Sequence, residues 1–489
     1  MKKSLDLKNF SLNNKNYIFL IFSPIVVNFL LNSFRDISTS KIKTFNYYDL
    51  FSTLLLFLFL FYIGKNIKSK LNLLYKSTGI VMYLLSFFII DNLILFFYTE
   101  LNHIQVFFIV NLLWISFLIY RKTKFIDLLV ILLTFIFLNQ YNIYFLQYLT
   151  RNKNIIGDVK DVHFEHVKNI YLESYFYSMN SPVLEGYPQF IAYFQAVLNR
   201  ISISQIEFEH LSSSINVLYL LTILLIYEIN LSNISKFTLS VVFTSLIFNS
   251  DWLQILFVDS LMAEGSLSYL FCTVLVSLID QIKQTPKNSR SIFLLLGFFY
   301  LSKQFISILT LLIVIYFILK KSTRMYALFG FIGFLLKELS YESYFSNLIK
   351  NYHMKEIDFI DTFFDLLLFR DLKFENFRTI IDNLYIDKPI SVIFFIFFIT
   401  FIVSQTFYRF NYTDVNFFAS IILINYLLIF TLYISIWRNM ELESPIRYML
   451  NLLHLNLFAE FYLLNDYVNK NTFTKNSHYD TEKDLKINE

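Results

Sequence analysis

The chemistry-bearing residues of this chain crowd into one short stretch. From Gly157 it reads GDVKDVHFEHVKNIYLESYFYSMNSPVLEGYPQF, with Asp158, Asp161, His163, His166, Lys160, Lys168, Glu165, Glu173 and Glu185 inside it. A carboxylate can take a proton from an attacking hydroxyl, and nearby cations can hold an anionic leaving group. Asp161, Glu165 and Lys168 are three or four apart, so a helix would set them on one polar face. Val162, Phe164, Val167, Ile170 and Tyr171 suit the apolar side of such a helix, lying along a membrane surface. Asp158 and Asp161 equally suit plain helix capping.

Four more groups stand apart from this stretch. Gly186 and Pro188 break the chain ahead of an amphipathic run, with Tyr187 at an interface position. Asp259 and Glu264 stand at the end of, or inside, an apolar segment, where ionisable groups usually face a cavity or a partner. Lys303 interrupts an otherwise apolar stretch. One continuous helix would bury it at roughly 3 kcal/mol, whereas two short helices meeting at Ser302–Gln304 would not. Arg447 and Tyr448 open the last apolar segment, and a guanidinium there can bind phosphate or simply anchor the helix.

The elements that must position these groups are membrane helices. Hydrophobic residues make up 56% of the 489 residues and charged ones 16%, against about 25% charged in soluble domains. Apolar runs of about 20 residues, enough to span a bilayer, recur throughout. Their continuity excludes a β-barrel. The expected fold is an all-α polytopic membrane protein of about 14 transmembrane helices. These fall at roughly 17–34, 47–64, 79–98, 103–120, 125–147, 213–229, 237–250, 261–280, 291–302, 304–319, 325–338, 388–408, 414–436 and 447–465.

The expected divisions are N-terminal helices over 1–147, an acidic loop with interfacial helices over 148–212, and central helices over 213–338. A second loop over 339–387, C-terminal helices over 388–465 and a polar tail over 466–489 complete the chain. Placing the N-terminus in the cytoplasm puts KNIKSKLNLLYK, RKTK, QIKQTPKNSR and KKSTR in inner loops, as the positive-inside rule asks, together with NLSNISK and YRFNYTD, which carry one basic residue each. Both long loops then lie outside and the tail inside, in an inner (plasma) membrane. The outer loop with Arg35, Lys41 and Lys43 runs against the rule. No small-residue cleavage site follows the first apolar run, so the first helix is read as its own targeting signal. Cys272, the lone cysteine, allows no intramolecular disulfide and suits a small core position. The net charge of +4 is better explained by membrane flanks than by nucleic acid. No Gly-rich nucleotide loop or Cys/His metal cluster is present in the sequence.

Taken in order, these motifs resemble the C-type (GT-C) membrane glycosyltransferases, which include protein O-mannosyltransferases and lipid A aminoarabinose transferases. The resemblance runs through Asp161, His166, Lys168 and Tyr171, then Tyr187-Pro188, Asp259-Ser260, Ser302-Lys303 and RYML from Arg447. It covers roughly 155–460 as short, degenerate motifs. The chain departs from the pattern at Glu165, where relatives carry an aromatic, in lacking Pro after RYML, and in placing about five helices before the acidic loop.

The resemblance implies inverting transfer of a sugar from a polyprenyl-phosphate donor to a glycan, lipid or protein acceptor. Asp161 is then the base, with Asp158 the alternative acid, and Lys303 and Arg447 hold the phosphate. His166, Lys168, Glu185, Tyr187, Asp259 and Tyr448 bind substrate. Some relatives hold a divalent metal with Asp-x-Asp; here DVKD has two intervening residues, which favours working without metal or cofactor. Two other classes compete: a lipid-linked oligosaccharide flippase or transporter, and an O-antigen polymerase or ligase. The first would show internal repeats and Gly/Pro-broken helices, and this chain has 8 Gly and 6 Pro. The second tends to carry its large loop late.

Overall fold

The computed structural model describes residues 47–96, 101–145, 165–173, 190–202, 212–249, 263–302, 304–337, 413–435 and 452–463, with 399 and 402 besides. Among these the chain is almost wholly helical and has no strand. Three helical segments, Lys76–Ile94, His103–Tyr120 and Gly265–Gln284, are long and apolar enough to cross a membrane.

Helix α1 (Tyr47–Leu71) packs against α2 (Lys76–Phe96), and α2 is the hub of the bundle. Around α2 lie α3 (His103–Tyr120), α6 (Phe190–Ser202), α7 (Ser212–Glu228) and α9 (Ala263–Gln284). Helix α4 (Phe125–Phe145) packs on α1, α5 (Glu165–Leu172) on α6, and α8 (Asn233–Asn249) on α7. Then follow α10 (Arg290–Phe298), α11 (Gln304–Leu319), α12 (Arg324–Ala327), α13 (Phe331–Lys337) and α14 (Thr413–Ser435), with a last helix, α15, over 453–463.

Helix α3 shows how side-chain choice sets its neighbours. Val106, Phe107 and Val110 are buried, with Asn111 and Trp114 on the same side. Asn111 accepts from the Tyr83 hydroxyl at 2.9 Å, and Trp114 donates to Ser86 at 2.8 Å, which ties this face to α2. Phe108, Leu112, Ile115 and Ile119 occupy the other face and are exposed. On α4, Ile126, Leu129, Leu133 and Phe137 are exposed in the same way. Large apolar faces of this kind suit lipid contact far better than water.

Helix α1 outruns its expected end near residue 64 and continues to Leu71, so Lys65, Lys68 and Lys70 sit on helix rather than in a loop. Lysines there complement the negative end of the helix dipole. The stop is Asn72, at φ 53°, with the Leu73 N–H donating to the Lys68 carbonyl at 3.0 Å; this is a Schellman-type ending. The break expected near Lys303 is present. After α10 a tight turn over Phe299–Leu301 leads to extended backbone at Ser302, and α11 begins at Gln304. The Ser302 hydroxyl donates to the Phe299 carbonyl and that of Ser307 to the Tyr300 carbonyl, so side chains satisfy backbone groups the break leaves open.

Two helix crossings depend on glycine. A Cβ on Gly333 would lie 2.0 Å from the Gly297 carbonyl oxygen, and one on Gly79 would lie 2.5 Å from that of Gly64. Small residues let helix backbones approach this closely. The segment expected as one helix over 325–338 tightens in its middle, at Leu328–Gly330, where it crosses α10.

Candidate functional site

The bundle has two chemically different ends. At one, α1, α3, α7, α9 and α11 finish while α2, α4, α8, α10 and α12 begin. Lys65 pairs with Asp127 at 3.0 Å. Gln281 accepts from the Leu74 N–H at 3.2 Å, and Tyr75 hydrogen-bonds Asp280. Burial, then the Asp280 charge, pushes the Tyr75 phenol well above its ordinary pKa. Arg290 stands over the Tyr326 ring at 5.3 Å. The basic sequences around Lys65, Arg121, Arg290 and Arg324 therefore meet at this end.

The opposite end carries α5 and α6, both from the acidic stretch. In α5, Val167, Ile170 and Tyr171 are buried and Lys168 is half-buried, so the helical face read from the sequence exists over Glu165–Leu172. His166 lies in this helix, one turn before Ile170. Helix α6 begins at Phe190, just after the Gly186–Pro188 breaker, and buries Tyr193, Phe194, Val197 and Ile201.

Arg200 of α6 fastens α5 in place. Its guanidinium lies 3.6 Å from the centre of the Tyr171 ring and donates to the Tyr171 carbonyl. Its Nε–H donates to Nδ1 of His103 at 3.4 Å. Desolvation lowers the Arg200 pKa from its ordinary value, and the facing Tyr171 opposes that shift. The His103 N–H donates to the Glu173 carbonyl at 2.9 Å, joining the end of α5 to the start of α3.

Beneath this roof lies a buried polar group that sequence reading passed over. Tyr193 stands edge-on to His103, with ring centres 5.4 Å apart, and its hydroxyl reaches Asp91 and the Phe87 carbonyl. Among the described residues, Asp91 Oδ2, Asn92 Oδ1 and His103 Nε2 are buried without a hydrogen-bond partner. An acid inside FFIIDNLILFF was the signal for it, since intramembrane carboxylates are costly unless used.

A second buried histidine, His454 in α15, is fully satisfied. Its Nδ1 lies 2.8 Å from the Ser268 hydroxyl and its Nε2 2.9 Å from that of Thr222. The Thr222 hydroxyl already donates to the Leu218 carbonyl, so it accepts from Nε2–H, and the ring is the neutral Nε2–H tautomer. Helix α15 runs from this point to Tyr462, beside Phe418 of α14. Phe417, the neighbour of Phe418, packs against Tyr316 and Phe317 near the basic end of α11. The start of α15 therefore lies further from the basic end than its close does.

Of the expected site residues, Lys168 and the helical backbone of His166 are described. Asp158, Asp161, Glu185, Tyr187, Asp259, Lys303, Arg447 and Tyr448 lie outside the described residues. Among the described residues no cluster of three or more His, Cys, Asp or Glu could hold a metal. The fold defines a class: an α-helical, membrane-associated protein with apolar helices of spanning length. No family model, curated protein or solved structure matches the chain.

Proposed function

We propose that this chain is a multi-pass membrane glycosyltransferase that moves a sugar from a polyprenyl-phosphate donor to an acceptor at the outer face of an inner (plasma) membrane. The observation that supports this reading is shared location. Helix α5 and the α10–α11 break at Ser302 belong to the end of the bundle opposite the basic loops, and α15 starts further from those loops than it ends. Those three elements adjoin, along the chain, the acid, the lysine and the arginine that the reaction needs.

In the proposed step, Asp161 takes the proton of the acceptor hydroxyl. The acceptor oxygen bonds to the sugar's anomeric carbon while the bond from that carbon to the phosphate oxygen breaks, with inversion. Lys303 and Arg447 take up the charge of the departing polyprenyl phosphate. His166, Lys168, Glu185, Tyr187, Asp259 and Tyr448 hold donor and acceptor, and Asp158 is the alternative base. No metal or cofactor enters the step.

The test is sugar transfer from a panel of polyprenyl-phosphate sugars by membranes containing the protein. Asp161→Asn should lower the rate by about 10²–10⁴-fold, with Lys303→Met and Arg447→Met also defective. The buried Cys272 should stay protected from thiol reagents in each variant if the fold is kept. Transfer that survives at the wild-type rate in both Asp161→Asn and Asp158→Asn would remove the proposed base. Absence of transfer from every donor would remove the reading itself.

A further inference from the structure

We propose that the corner of the basic end formed by α1, α3 and α4 is a docking site for the headgroups of anionic phospholipids. The inference rests on the membrane-embedded reading of the apolar helices and is independent of the transferase chemistry.

The corner gathers Lys65, Lys68 and Lys70 from the end of α1 with Arg121, Lys122 and Lys124 from the α3–α4 turn. The Lys70 ammonium donates to the Lys122 carbonyl at 3.3 Å, so the two sets share one surface. Lys122 is held at φ 53°, in a turn closed by the Thr123 N–H donating to the Leu118 carbonyl at 3.0 Å. Among the described residues, the acid paired with a cation of this corner is Asp127, which Lys65 engages. Among the described residues, the other five cations have no acidic partner. Like charges crowded this way repel unless an anion sits among them.

The apolar neighbours identify that anion. Tyr120 is 80% exposed, Phe125 76% and Ile126 71%, directly beside the cations in sequence. The exposed apolar faces of α3 and α4 run away from this point towards the other end of the bundle. Arg121 leans back over the Phe117 ring, 5.7 Å from its centre. A small soluble anion would use the cations and leave the apolar side chains in water. A phospholipid uses both, its phosphate among the cations and its acyl chains along α3 and α4.

The experiment is native mass spectrometry of the full-length protein in mild detergent. It is titrated with phosphatidylglycerol and, separately, with phosphatidylcholine of the same acyl chains. The wild type should retain phosphatidylglycerol at far lower concentration, and added salt should weaken that retention. The Arg121→Gln, Lys122→Gln, Lys124→Gln triple variant should lose phosphatidylglycerol retention by on the order of 100-fold, at about fivefold per cation. Phosphatidylcholine retention should be unchanged. Equal retention of the two lipids by the wild type would overturn the proposal, and this comparison needs no variant. So would a triple variant that keeps Cys272 protected and still prefers phosphatidylglycerol as the wild type does.

Discussion

The Glu228 carboxylate, at the end of α7, accepts from the backbone N–H groups of both Lys76 and Ser77, each at 2.8 Å. The Ser77 hydroxyl donates to it as well, also at 2.8 Å. A residue 151 positions away thus caps the hub helix α2. A carboxylate at a helix N-terminus satisfies open N–H groups and complements the dipole. Glu228→Ala should cost about 2 kcal/mol, and Glu228→Gln less, since its amide oxygen can still accept. Heating in detergent with a thiol-reactive dye measures this, because Cys272 is buried and reacts on unfolding. An unchanged midpoint in Glu228→Ala would show that the cap contributes nothing.

Gly333→Ala should be destabilising although alanine normally favours a helix by about 0.5–1 kcal/mol over glycine. The added methyl carbon meets backbone, the Gly297 carbonyl at 2.0 Å, and backbone cannot rotate aside. A loss of about 1–3 kcal/mol is expected from overpacking, read by the same Cys272 assay. A gain in stability would mean that α10 and α13 do not cross this closely.

Arg200→Ala should release α5 without loosening the core. Hydrogen exchange of residues 165–173 should accelerate while that of α9, buried almost throughout, stays slow. Arg200→Lys should rescue only part of the protection, since an ammonium lacks the planar stack on Tyr171. Equal exchange in wild type and Arg200→Ala would refute the anchoring role.

Ser268→Ala removes the hydroxyl partner of His454 Nδ1 and of the His454 backbone N–H. Losing these two bonds in the interior should cost about 1–3 kcal/mol. Nitrogen NMR of the wild type should find the His454 proton on Nε2. A proton on Nδ1 would reverse the donor assignment drawn from Thr222.

The helices were largely legible because their signals are local. A run of apolar residues such as His103–Tyr120 carries its own length. Lys303 announced a break because an ammonium inside one continuous apolar helix is expensive. Over Glu165–Leu172 the spacing of Val167, Ile170 and Tyr171 chose the buried face of α5. The overrun of α1 was misread because lysines look like loop, although a helix end accommodates them well.

Partnership across the chain was not legible. Nothing local to Glu228 says that it caps α2, or local to Arg200 that it stacks on Tyr171 and reaches His103. Those contacts join residues far apart in the chain. They exist because burying apolar faces brings helix ends together, and polar groups at those ends must then find partners inside the protein. Composition and periodicity by themselves determined that the described residues form apolar helices and where most of those begin and stop. Packing alone decided which of their polar residues meet, because hydrogen bonds need ångström-scale proximity that no sequence spacing encodes.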